Sequence, residues 1–109
     1  MNKKESELYK IVDIVIGCCS MGGNEEELRK RVLSSARDDN TMLTRCMLAR
    51  LLAFAGYSNA TIAMLLHRDQ KTIRNLLESA RDCRTSRRTY RIAEDEAMRL
   101  YADMCRDSE

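Results

Sequence analysis

The stretch HRDQKTIRNLLESARD, His67 to Asp82, sets long polar side chains beside a regular apolar row. Ile73, Leu76, Leu77 and Ala80 recur at spacings of three and four, so they share one side of an α-helix. Gln70, Lys71, Arg74, Asn75, Glu78 and Arg81 then face the other way. The chemistry open to such a face is recognition. Arg and Lys match the O6 and N7 edge of guanine, Asn and Gln match N6 and N7 of adenine, and nearby cations neutralise phosphates. A major groove admits one α-helix, so this spacing points to a helix that reads double-stranded DNA.

Groups that break bonds or hold metals are scarce. His67 is the single histidine, with no Cys or carboxylate at catalytic spacing beside it. The five cysteines are odd in number and lack any CxxC pair, which argues for reduced thiols and against a disulfide scaffold or zinc site. Cys18 and Cys19 end an apolar helix and are read as small hydrophobes. No GxxxxGK[ST] phosphate loop occurs, so the expectation is a non-enzymatic protein without cofactor or metal.

The elements that must position this face follow from composition and punctuation. At 109 residues with no Pro and four Gly, the chain is expected to be one domain, all-α, with about six helices. The first helix is predicted from about Glu5 to Cys19, with Leu8, Ile11, Val12, Val15 and Cys19 inward, stopped by Met21 to Gly23. Asn24 caps a second, more polar helix in which Leu28, Val32 and Leu33 begin an apolar stripe. DDNT, Asp38 to Thr41, interrupts the pattern before a strongly apolar third helix that ends at Gly56. Ser58 caps a short helix through Leu66, and Asp69 caps another through about Cys83. These two, over about 58–83, have helix-turn-helix spacing, with Ala63 small where they must approach. A last amphipathic helix runs from about Arg88 to Arg106 with Tyr90, Ala93, Ala97, Leu100, Tyr101 and Met104 inward, while Glu94 to Glu96 read as a solvated face and Phe54 and Tyr57 as core.

Charge is distributed unevenly. Residues 1–40 carry −1, residues 41–91 carry +7 and residues 92–109 carry −4, so a basic centre coincides with the helix pair. The charged N-terminus MNKKESELYK and the lack of any apolar run near 20 residues predict a protein that neither spans a membrane nor carries a signal peptide, and a cytoplasmic, nucleoid-associated location in a bacterium is the expectation.

GYSNATIAMLLHRDQKTI, Gly56 to Ile73, resembles the C-terminal DNA-binding domain of the bacterial replication initiator DnaA. Ser58, Ile62 and Ala63 fit that family's Ser-x-x-x-Ile-Gly/Ala helix, and Arg68, Asp69, Thr72 and Ile73 fit its Arg-Asp-His-Thr-Thr-Val turn and recognition helix. The preceding RCMLARLLAF, Arg45 to Phe54, is similar to the family's long helix, and Arg45 lies near its minor-groove arginine. The resemblance covers about forty residues and implies DNA-contacting roles for Arg68, Asp69, Gln70, Lys71 and Thr72, with Arg45 as a minor-groove contact. Gln70 stands where the family has His, Lys71 where it has its first Thr, and Leu66 and His67 where it has glycines. The overall plan also looks like the Trp-repressor superfamily, whose members are intertwined dimers.

Together these observations predict a transcriptional regulator that binds double-stranded DNA through Arg45, Arg68, Asp69, Gln70, Lys71, Thr72, Arg74, Asn75 and Arg81. A homodimer is expected, because one reading helix covers few base pairs and because the first and last helices both carry apolar stripes. The competing expectation is a helical adaptor or anti-repressor whose basic face meets an acidic protein.

Overall fold

In the computed structural model, which describes residues 3–107 and the side chains of 6–107, four of the helices begin where a short polar side chain holds an otherwise free amide. Six helices follow one another: α1 (Lys3–Cys19), α2 (Glu25–Leu33), α3 (Asp39–Phe54), α4 (Asn59–Leu66), α5 (Gln70–Ser86) and α6 (Arg88–Asp107), with no strand among the described residues. The chain is all-helical. Asn24 Oδ1 accepts from the Glu27 amide at 3.1 Å, Asp38 from Thr41 at 3.1 Å and Ser58 Oγ from Thr61 at 3.2 Å. DDNT is therefore not a break before α3. Asp38 is its cap, and Asp39, Asn40 and Thr41 form its first turn.

The helices end by changes of backbone hand. Gly56 lies at φ 101°, and the amides of Gly56 and Tyr57 return to the carbonyls of Ala53 and Leu52. α1 is closed by Met21 and Gly22, both left-handed, at φ 54° and 79°.

α3 is the axis of the molecule. It buries Cys46, Met47, Leu48, Ala49, Leu51 and Leu52, which lie all around its circumference, as expected of a helix wrapped by others. Each of the other five helices packs against it. α1 contributes Ile11, Val15, Ile16 and Cys19, and α6 contributes Tyr90 and Ala97. α1 and α6 also pack on one another, which buries Ile11, Val15, Cys19, Tyr90 and Ala97 of their apolar stripes within one chain and leaves Leu8, Val12, Ala93, Leu100, Tyr101 and Met104 half-buried. Leu28 and Val32 of α2 are buried, but Leu33 is 40 % exposed, because a five-residue step from Leu28 turns it roughly 140° away.

Two further expectations are corrected. Phe54, at the last turn of α3, is 67 % exposed and meets Tyr101 edge to face with ring centroids 6.3 Å apart. Glu94 is 2 % exposed. It stands four residues after Tyr90 and three before Ala97, on the stripe that faces α3 and α5. Arg50 Nε lies 3.1 Å from one of its oxygens, and Arg84 Nη1 donates to the other at 2.9 Å. One buried carboxylate thus ties α3, α5 and α6 through two guanidinium groups.

Candidate nucleic-acid interface

α4 and α5 are separated by three residues, His67 to Asp69. His67 is left-handed at φ 56° and ψ 44°. Its amide donates to Met64 O at 3.3 Å and that of Arg68 to Ala63 O at 2.9 Å, the paired closure usually made at glycine. Asp69 then opens α5. Its carboxylate accepts from the Thr72 amide at 2.7 Å, and that bond, followed by one to the Thr72 side chain and the nearby charges of Lys71 and Arg74, holds its pKa below the ordinary 3.8. The acid is committed to capping.

Ile73, Leu76 and Ala80 face the core, and Leu77 is half-buried. Gln70, Lys71, Arg74 and Asn75 are all exposed on the first two turns of α5. None of the four has an ion pair or side-chain hydrogen bond among the described residues, so their donors are available to a partner. Arg81 is also exposed on this side, about 9 Å further along the axis than Asn75. There it borders a groove shared with Phe54, Arg84 and Asp95, so the structure brings Gln70, Lys71, Arg74 and Asn75 together and leaves Arg81 beyond them.

Arg68 and Thr72 occupy the margin of this face. Thr72 is half-buried. Arg68 Nη2 donates to the Ser34 carbonyl, and Nη1 donates to Leu66 O at 3.2 Å and His67 O at 3.1 Å. These bonds fasten the α4–α5 turn to the α2–α3 loop and leave Nε without a partner among the described residues.

Arg45 does not belong to the surface. It is 4 % exposed, and its Nε donates to Val32 O at 2.9 Å, Nη1 to Ala36 O at 2.7 Å, and Nη2 to Arg31 O at 2.9 Å and Ser34 O at 2.8 Å. Nη1 also meets Met42 Sδ at 3.1 Å, so all five N–H donors are engaged. The physical reason is the end of α2. That helix stops without a glycine, its last carbonyls need donors, and a planar guanidinium supplies several at the negative end of the helix dipole. Burial first, and the charge of Arg68 next, lower the Arg45 pKa from its ordinary value.

Arg37 is the residue that the sequence reasoning misses. It lies in the loop after α2, exposed, and lines a groove with Ser34, His67, Arg68 and Thr72. Its neighbours Asp38 and Asp39 mask it in the sequence, and a loop has no periodicity to single it out. Asp38 itself is occupied, accepting from both the amide and hydroxyl of Thr41, which lowers its pKa.

Among the described residues no three His, Cys, Asp or Glu side chains gather to hold a metal ion. Burial pushes the Cys19 and Cys46 thiols up to about 11, so both stay protonated near neutral pH. No described helix is long and apolar enough to cross a membrane. Comparison with protein-family models, with curated proteins and with solved structures finds no match to this chain.

Proposed function

We propose that α4 and α5 form a helix-turn-helix and that the protein is a non-enzymatic, sequence-specific binder of double-stranded DNA that acts in transcriptional regulation. The observation that carries this reading is the free donor set Gln70, Lys71, Arg74 and Asn75 on the first two turns of α5, directly after a tight turn and beside the capping Asp69. Those are the positions from which a recognition helix reaches base edges. The +7 charge of residues 41–91 supports it, as does the resemblance of Gly56 to Ile73 to the initiator's DNA-binding domain. A homodimer remains part of the proposal on the ground of specificity, since paired half-sites lengthen a short recognition sequence.

Arg37, Arg68, Lys71, Arg74 and Arg81 are the cations on or beside the face with a free donor. If four or five reach phosphates, the logarithm of the binding constant falls with the logarithm of salt at a slope of about −3.6 to −4.5. Fluorescence anisotropy on random and selected duplexes across a salt series measures it. A flat dependence, or no binding to duplex, removes the DNA reading and favours an acidic protein as the partner of the basic face.

A further inference from the structure

The groove between the α2–α3 loop and the α4–α5 turn encloses about 480 Å³, and its walls carry Arg37, Arg45, His67 and Arg68 with the hydroxyl-bearing Ser34 and Thr72. Asp38 and Asp69 stand nearby and stay charged, but their carboxylates are held by Thr41 and the Thr72 amide and do not line the groove. Among the described residues no acid lines the groove, and, after burial itself, the charges of Arg68 and Arg37 lower the Arg45 pKa while the nearby Asp38 carboxylate offsets them in part. The walls are also rigid. The Ser34 carbonyl accepts from both Arg45 and Arg68, which pins the loop to the turn. Arg37 alone among the three arginines has no hydrogen bond or ion pair among the described residues.

We infer that this groove seats one backbone phosphate of bound DNA, gripped by Arg37 and the free Nε of Arg68, and so fixes the register in which α5 enters the major groove. The inference rests on the DNA reading above. Position favours a backbone phosphate over a free anion, because Thr72 lies both on the groove wall and in the first turn of α5. A phosphate on the edge of a major groove about 12 Å wide lies beside the end of any helix inserted there. The seat carries no base information, so it positions without specifying.

The test uses the full chain, a duplex selected from random sequence and a scrambled control. Arg37→Ala is expected to weaken binding to both duplexes about equally, by 3- to 10-fold at 0.1 M salt, and to make the salt slope less steep by about 0.9. Arg37→Lys should retain most of that slope. A scan with single neutral methylphosphonate linkages should find one position that costs the wild type affinity and costs Arg37→Ala nothing further. Arg37 is exposed, and a circular dichroism melt confirms that the variants stay folded. If Arg37→Ala keeps affinity and slope while Arg74→Ala loses preference, the seat is wrong and the DNA reading stands. If millimolar inorganic phosphate shifts the amide resonances of residues 34–37 while Arg37→Ala leaves duplex binding unchanged, the groove is a small-anion site and the inference falls. If the wild type ignores duplex, the inference falls together with the reading beneath it.

Discussion

Replacing Arg45 with Ala tests the packing of α2 against α3 without reference to any ligand. The side chain is almost wholly buried, and its guanidinium serves the carbonyls of Arg31, Val32, Ser34 and Ala36. The bond to Val32 is fully buried, and losing a charged donor there costs about 2 kcal/mol. The other three carbonyls are partly reached by water, so each costs about 0.5 kcal/mol, and the whole loss is about 3–4 kcal/mol. Lys offers three donors from a point charge and should recover about half. Urea unfolding followed by circular dichroism reads this directly. With a slope of ~1.5 kcal/mol per molar for a chain of this size, the midpoint should fall by about 2 M for Arg45→Ala and about 1 M for Arg45→Lys. A loss under about 1 kcal/mol with the slope unchanged would refute the assignment of Arg45 as the clasp of α2.

Lys71→Ala and Arg74→Ala should each change sequence preference by about 1–3 kcal/mol at one base position, measured by selection on random duplex; unchanged preference in both means α5 is not the reading helix. Glu94→Gln should cost about 1–2 kcal/mol, since Arg50 and Arg84 are about a third exposed and can turn to water. Tyr90→Phe should cost under about 1 kcal/mol, because the buried hydroxyl beside Glu94 makes no hydrogen bond of ordinary geometry; both are read in the same urea assay. Asp38 and Asp69 have folded pKa values below the ordinary 3.8, so their contribution is fully present above that value and is lost as pH falls through it toward the depressed values. An acid titration of wild type against Asp69→Asn, which keeps a capping side chain, should show the difference between them shrinking below pH ~4, and a constant difference would contradict the depressed Asp69 pKa. Light scattering at micromolar concentration should give about 25 kDa for the proposed dimer against 12.6 kDa for one chain, and the lower mass with tight DNA binding retained would remove the dimer.

The parts of the fold legible in the sequence are those governed by side chains close together along it. Asn24, Ser58 and Asp69 each hold an amide three residues on, and Gly56 sits where a left-handed residue is needed, so the starts of α2, α4 and α5 and the end of α3 could be read. Asp38 obeys the same rule but was hidden by a run that resembles a loop. Glu94 was legible too, since its spacing from Tyr90 and Ala97 places it on the apolar stripe; grouping it with Asp95 and Glu96 as one charged run obscured that. Arg45 was not legible. Its partners are backbone carbonyls 9 to 14 residues away, and every residue has a carbonyl, so no pattern of side chains announces them. Arg37 was invisible for a related reason, because its place beside His67 and Arg68 exists only once the Arg45 clasp has folded the loop back.

The shared Ser34 carbonyl also decides where the chain can be lengthened. Residues 34–38 have the composition of a permissive loop, yet the carbonyls of Ser34 and Ala36 accept from arginines on two other elements, and Asp38 begins a helix. One inserted residue would move the carbonyls off their donors and shift Arg37 at the same stroke. The α1–α2 connection is the opposite case. Met21 is 79 % exposed, Gly22 and Gly23 are exposed, and nothing in that turn reaches the α4–α5 face. A reporter peptide spliced after Gly22 should leave the fold intact, whereas the same peptide after Ser35 should unfasten α2.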